Sequence, residues 1–365
     1  MEKLARPEIL KIKPYVPGKP VEEVERELGI KDVVKLASNE NPLGPSPLAV
    51  EALRKSVDQV HFYPDGNCYY LKRALEKHWG HPPEELLVGN GSDELLTLIA
   101  QAYLQPGEEI VMGDPSFSEY DFAAKIMGGV VKKVPLKDYT HDLKAMAGEI
   151  TEKTKMVFVC NPNNPTGTMV TRADVAEFMK NVPGDVLVIF DEAYYEYVDD
   201  PAYPDSLQYV REGRNVIVLR TFSKVYGLAG LRIGYAMAPK EIVSTVNRVR
   251  EPFNVNLLAQ RGALAALGDE EFLQKSRAAN REGMQMLYRG LEELNLKYVP
   301  SQTNFIFIDT GRDCQDVFKK LLQKGVIVRT GDIFGHPTFI RLTVGTPEGN
   351  RKFLSCLKEV LEEEA

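Results

Sequence analysis

The chain has 365 residues, 44% of them hydrophobic and 27% charged, which suits a globular protein with a sizeable core and room for two domains. Its formal net charge of −7 argues against a nucleic-acid surface, though not against an anionic substrate, which needs only local positive charge. The four cysteines, Cys68, Cys160, Cys314 and Cys356, form no close pair, so neither a zinc site nor a disulfide framework is expected; with no signal-peptide pattern and no apolar run near the ~18 residues of a membrane span, the sequence reads as cytoplasmic, with no membrane contact.

Residues 1–35 are rich in proline and charge, with one short helical stretch, PVEEVERELGI, and read as an N-terminal arm. Residues 36–260 alternate strand-like and helical patterns. The strand candidates are ELLVGN, EEIVMGD, TKMVFVCNP, VLVIFDEAY, NVIVLRTFSK and GYAMAP. Several are continuous apolar runs, as expected of strands covered on both faces. Between them lie helical patterns such as SDELLTLIAQAYL, with Leu95, Leu96 and Ile99 on one side, and ADVAEFMKNV. This alternation predicts an α/β fold, a large domain whose mostly parallel sheet is flanked by helices. A long helical region covers about 252–294. The rest of residues 261–365 reads strand, helix, strand, strand, helix (TNFIFIDT, CQDVFKKLLQKG, VIVRTG, FIRLTV, NRKFLSCLKEVLEE), a smaller α+β C-terminal domain.

Ligands of open α/β sheets gather beyond the carboxyl ends of the strands, so the polar residues closing each strand candidate carry the chemistry. In GNGSDELL, the backbone N–H groups of Gly91, Ser92 and Asp93 can face an anion at a helix start, with Ser92 as N-cap. A plain strand-to-helix turn would look the same. NPNNPTG, Asn161–Gly167, offers asparagine donors at a buried strand end, or is turn chemistry alone. VLVIFDEAY ends in Asp191, Glu192 and Tyr194. A buried carboxylate needs a partner, which a protonated heterocyclic nitrogen would supply; a metal at Asp191 and Glu192 is the rival, but no histidine lies close. In TFSKVYGLAGLRIGYA, Lys224 follows a strand beside Thr221 and Ser223, and Arg232 lies further on. A lysine walled by apolar residues can become a nucleophile toward an aldehyde, and the hydroxyls with Arg232 suit a phosphate. A solvated surface lysine is the plain alternative.

The order GNGSDE, NPNNPTG, FDEAY and TFSK…GLAGLRIGY resembles the fold-type-I aminotransferases, which use pyridoxal 5'-phosphate (PLP). The resemblance covers nearly the whole chain, from SNENPLGPSP to FIRLTVGTPEGN. Within that superfamily the sequence most resembles the histidinol-phosphate aminotransferases, on PYVPGKP, HFYPDGNCYYLK, VIVRTG and IRLTVGTPE. The resemblance implies that Lys224 holds the cofactor as a Schiff base and then moves the proton. It implies that Asp191 pairs with the pyridine nitrogen, that Asn164 and Tyr194 bond the ring hydroxyl oxygen, and that Phe117 stacks on the ring. Relatives often carry tyrosine at that position, so here only the stacking survives. Ser92, the Asp93 backbone, Thr221, Ser223 and Arg232 would hold the phosphate. Tyr63 would reach the cofactor of a neighbouring subunit, which implies a homodimer with shared sites.

At the substrate end, Arg341 matches the family's carboxylate-binding arginine and would accept a phosphate in one half-reaction and a carboxylate in the other. Arg329 would be the second phosphate anchor, or an edge-strand arginine in solvent. Tyr15 would close over it from the arm. Asn41, in NENP, lines the pocket or serves the turn. The implied reaction moves an amino group between L-histidinol phosphate and 2-oxoglutarate, giving imidazole-acetol phosphate and L-glutamate, in histidine biosynthesis. Three rivals stay open: a phenylalanine or tyrosine aminotransferase, a PLP decarboxylase of a phosphorylated amino acid, and a PLP-holding regulator without turnover.

Overall fold

The computed structural model describes residues 4–12, 14 and 18–363. The charged PVEEVERELGI stretch forms a helix over Val21–Leu28, stopped by Gly29 in the left-handed conformation (φ 65), where glycine carries no Cβ penalty. Val24 on its inner face packs with Ala37 and Ile327. Strand β1 (Val34–Lys35) then pairs in parallel with Val326–Ile327, far along the chain.

Among the described residues, seven strands form the central sheet: β2 (Leu86–Gly89), β3 (Glu109–Asp114), β4 (Val130–Pro135), β5 (Thr154–Cys160), β6 (Leu187–Asp191), β7 (Val216–Thr221) and β8 (Gly234–Met237). Their order is β2-β8-β7-β6-β5-β3-β4. The joins from β7 through β4 are parallel, while β8 runs antiparallel to β7 and β2. Side chains alternate across the sheet: along β6, Val188 and Phe190 enter one apolar cluster, Leu187 and Ile189 the other. With both faces covered, the run is continuously apolar, as the sequence predicts. Leu95, Leu96 and Ile99 are fully buried from the helix Gly91–Tyr103. The strand that apolar pattern misses is β4. It is a sheet edge carrying Lys132 and Lys133, which pair with Glu109 and Asp114; charge is how edges are kept from pairing further.

The long helical region divides into Leu257–Leu267 and Glu270–Glu293, with Asp269 capping the second by accepting from the Phe272 amide. Beyond them lie β9 (Lys297–Val299), β10 (Phe305–Asp309), β11 (Val326–Ile327), β12 (Arg329–Thr330) and β13 (Phe339–Thr343). The antiparallel order is β12-β13-β10-β9. VIVRTG, read as one strand, is two: Val326–Ile327 serves β1 and Arg329–Thr330 serves β13. The helices Cys314–Gln323 and Pro347–Glu362 cover this sheet through Val317, Leu321, Phe353 and Leu357.

Candidate active site

The strands β2, β5, β6 and β7 end on one side of the central sheet, and their ends line a cleft of about 460 Å³, the size of a small-molecule site. Ser92 and Asp93 come from the segment after β2, Asn164 from that after β5, Asp191 and Tyr194 from β6 and beyond, and Thr221, Ser223 and Lys224 from β7 and beyond. Phe117 and Arg232 complete that wall, and the smaller sheet contributes Arg329 and Arg341. All four motifs quoted from the sequence therefore meet in one cleft.

One end is built for an anion. The helix Gly91–Tyr103 starts two residues earlier than a Ser92 cap would allow: Asn90 occupies the cap without a side-chain hydrogen bond, and Ser92 lies inside the first turn. This start favours an anion, because the first-turn N–H groups of Gly91, Ser92 and Asp93 have no partner within the helix. Gly91 has φ 83, and a Cβ there would lie 2.5 Å from Nη2 of Arg232, so only glycine lets the guanidinium close on the helix start. Arg232 sits at φ 54, in the left-handed region, and donates to Asp93 at 2.8 Å. The Thr221 hydroxyl accepts from the Ser223 amide at 3.0 Å, which folds the turn that presents both hydroxyls.

The other end is built for a cationic ring and an amine. Asp191 is buried, accepting from the Tyr120 hydroxyl at 2.7 Å and from the Ala193 amide at 3.2 Å. Burial pushes its carboxyl up to about 6, against the pull of those hydrogen bonds; a ring N–H⁺ would relieve that penalty. Lys224 makes one long hydrogen bond, 3.5 Å to the Ser38 carbonyl, and its amine lies 5.7 Å from the centre of the Tyr194 ring. Burial, then the Arg341 charge, push its amine down to about 8, which favours the free base a nucleophile needs. Tyr194 accepts from Nδ2 of Asn39 at 2.8 Å. The Arg341 guanidinium donates to Oδ1 of Asn164 at 2.5 Å and to the Ala37 carbonyl at 2.8 Å.

Asn41 lies outside the cleft lining. Its amide donates to the Val225 carbonyl and the Ser276 hydroxyl, and its oxygen accepts from the Leu43 amide, so it closes the local turn and ties it to the segment after β7 and to the helix Glu270–Glu293. The asparagine of SNENP that enters the site is Asn39, at φ 57 and buried. It is also tied to Thr343 on β13. Sequence reasoning missed it because both asparagines suit a turn. It missed Tyr120 too, although Tyr120 follows Phe117 by one helical step, and their rings meet edge to face at 5.6 Å. Tyr63 does not line this cleft: it is 82% exposed and its ring stacks on Phe253 at 4.8 Å. Tyr15 lies outside the described residues. Glu192 faces away from Asp191 and pairs with Arg220, so the two carboxylates do not share a metal site. Among the described residues no cluster suited to a metal ion occurs, and no helix is long and apolar enough to cross a membrane.

The donor set thus fits PLP at each point: N–H groups, hydroxyls and a guanidinium for the phosphate, a buried carboxylate for the ring nitrogen, an aromatic face and a deprotonatable amine. A family model described as "Aminotransferase class I and II" matches residues 31–357. A histidinol-phosphate aminotransferase of Moorella thermoacetica is 61% identical over 98% of this chain and 92% of its own. One of Caldicellulosiruptor saccharolyticus is 50% identical over 96% of this chain and 98% of its own. The crystal structure of histidinol-phosphate aminotransferase from Sinorhizobium meliloti in complex with pyridoxal-5'-phosphate matches with a TM-score of 0.91 at 28% identity, over 98% of each chain.

Proposed function

The chain belongs to the class I and II aminotransferase family, and from that premise we propose that it exchanges an amino group between L-histidinol phosphate and 2-oxoglutarate, a step of histidine biosynthesis. One observation carries the choice of substrate. Arg329 and Arg341 are direct cross-strand partners on β12 and β13, and both line the cleft that holds Lys224. Like charges facing each other across a ladder cost free energy; an anion with several oxygens turns that cost into a binding site. A phosphate monoester satisfies two forked donors, whereas the carboxylate of an ordinary amino acid needs one.

PLP, when bound, supplies an electron-withdrawing ring that acidifies the substrate Cα. The chain's own groups do the rest. Ser92, Thr221, Ser223, Arg232 and the amides of Gly91 and Asp93 hold the cofactor phosphate. Asp191 keeps the ring nitrogen protonated, and Phe117 covers one ring face. Asn164 and Tyr194 orient the ring oxygen. Lys224 Nζ holds the cofactor, then takes the proton from the substrate Cα and delivers it during the exchange. Its lowered basicity keeps a useful fraction of free amine near neutral pH. Arg341, with Arg329, fixes the substrate anion so that Cα faces Lys224.

The reading extends to a homodimer in a cytoplasmic setting. Tyr63 and Phe62 are 82% and 66% exposed, with Val57, Val60, Tyr69 and Tyr70 also open to solvent. A surface of this composition suits contact with another chain. We read Tyr63 as reaching a second copy's cofactor phosphate, and Tyr15 as closing over the substrate from residues 1–35. The large and small domains are taken as 36–260 and 261–365.

An amino-donor panel with 2-oxoglutarate tests the reaction: histidinol phosphate, phenylalanine and tyrosine, with glutamate formation coupled to a dehydrogenase. Histidinol phosphate should be the preferred donor. Preference for phenylalanine or tyrosine would replace this reading with an aromatic aminotransferase, and carbon dioxide release would indicate a decarboxylase.

A further inference from the structure

Behind the cleft, on the opposite face of the central sheet, Arg220 donates from Nε and Nη2 to Oε2 of Glu192 at 3.0 and 2.7 Å. Both side chains are almost wholly buried, at 3% and 1% exposure. The guanidinium sits in the corner formed by two rings, 3.5 Å from the centre of Tyr195 and 4.0 Å from that of Trp79, which meet each other edge to face at 5.7 Å. The indole N–H of Trp79 in turn reaches the Tyr235 hydroxyl at 3.1 Å. None of these groups enters the cleft around Lys224.

Their place along the strands is informative. The β6–β7 ladder ends at the pair Asp191–Leu219, and the last backbone bond there runs from the Glu192 amide to the Leu219 carbonyl at 2.9 Å. Past that point the two chains diverge, one toward Tyr194 and the other toward Ser223 and Lys224. Asp191 and Thr221 point to the cleft, and their sequence neighbours Glu192 and Arg220 point away, as strand alternation requires. The ion pair therefore joins the two strands one step beyond the last ladder pair. A buried ion pair adds little net stability over a well-packed apolar pair, because desolvation offsets the attraction. Its forked geometry, however, fixes distance and direction.

We infer that Glu192 and Arg220 are positioning residues that set the separation of Asp191 from Lys224 and the Thr221–Ser223 turn. The inference rests on the reading of the cleft as a PLP site. A group displaced by about 1 Å can cost on the order of a hundredfold in function, so a strand end left to splay is felt at both the ring nitrogen and the phosphate.

Two variants separate positioning from stability. Glu192→Leu with Arg220→Met removes the pair and refills its volume with apolar atoms. Glu192→Gln keeps an oxygen that accepts both guanidinium N–H groups but leaves the buried arginine charge uncompensated. The double variant should unfold near the wild-type temperature in the cofactor-free state yet bind PLP about tenfold or more weakly, with a shifted pH titration of the bound cofactor's visible absorbance. Glu192→Gln should melt lower, yet bind PLP within about threefold of wild type because the fork geometry remains. Wild-type PLP affinity and an unchanged titration in the double variant would overturn the inference, as would affinities that simply follow the melting temperatures. Should Glu192→Gln fail to fold, the double variant decides alone; should the double variant fail, tenfold weaker binding in a folded Glu192→Gln overturns the geometric argument. A wild-type protein that binds no PLP would sink the functional reading itself, a different result from unaltered binding in the variants.

Discussion

The Tyr120 hydroxyl donates a 2.7 Å hydrogen bond to Oδ2 of Asp191, whose other oxygen takes the Ala193 amide. Burial pushes the Asp191 carboxyl up to about 6, and these bonds hold it from going higher. Tyr120→Phe removes one of them while keeping the ring stack on Phe158. The carboxyl should then titrate above 6 in the cofactor-free protein, and the pH midpoint of PLP binding should rise with it. Losing a charge-assisted bond of this kind costs about 1.5 kcal/mol, which is about tenfold in PLP affinity. Absorbance titrations across pH measure both. An unchanged midpoint would show that Ala193 and the ring nitrogen hold Asp191 without Tyr120.

Lys224 gives a stability prediction with a definite sign. Its amine is pushed down to about 8 in the folded chain from an ordinary value of 10.5. Below pH 8 both folded and unfolded states are protonated, and the folded state carries the full cost of a buried charge. Between about 8 and 10.5 the folded state releases its proton first, so the unfolded state binds more protons and stability rises with pH. Lys224→Met should therefore raise the urea midpoint of the cofactor-free protein at pH 7, by an amount that shrinks as pH approaches 10.5. The same variant should lose transamination. An advantage that did not change with pH would mean packing, not charge, explains it.

Gly91 tests the anion end. Gly91→Ala places a methyl where the Arg232 guanidinium lies and forces a side chain onto φ 83. Backbone strain of this kind costs about 1–3 kcal/mol, and the arginine must withdraw. PLP binding should weaken by about tenfold or more, while far-UV circular dichroism stays unchanged. Equilibrium dialysis with PLP measures it; undiminished affinity would remove Gly91 and Arg232 from the phosphate cradle.

The strands and helices that frame the cleft were legible because burial on both faces writes itself as uninterrupted apolar runs, as in VFVC before Asn161 and VLVIF before Asp191. Each polar residue closing such a run fell on the cleft side or one step from it. What local pattern could not supply were long-range partners. Asn39 and Asn41 are equivalent as turn residues, and only the contacts of Asn39 with Tyr194 and Thr343 separate them. Arg220 reads as one polar residue in a strand until Glu192 and the two rings are brought to it. Side-chain capping rules point to Ser92 as the cap, whereas the helix begins at Gly91, whose positive φ those rules do not weigh. β4 was hidden because an edge strand with lysines lacks the apolar signature of its neighbours.

The substrate assignment is most exposed at Arg329. Its Cα pairs directly with that of Arg341, and both residues line the cleft. If Arg329 anchors the substrate phosphate, Arg329→Gln should weaken use of histidinol phosphate much more than use of glutamate, whose carboxylate can rely on Arg341. Losing one charge-assisted contact to a bound anion costs roughly 2–4 kcal/mol in transition-state binding. That corresponds to roughly a thirtyfold to thousandfold fall in kcat/KM for histidinol phosphate. Phenylalanine, where accepted, should be nearly unaffected, and the PLP dissociation constant should not move, because Arg329 belongs to the smaller sheet and not to the phosphate cradle around Arg232. Steady-state kinetics with the three donors, on one preparation saturated with PLP, make the comparison internal. An equal fall for all donors would assign Arg329 a role in the fold or in closure of the cleft. No selective loss for histidinol phosphate would leave Arg341 as the sole anion anchor and turn the preference toward an aromatic amino-acid donor.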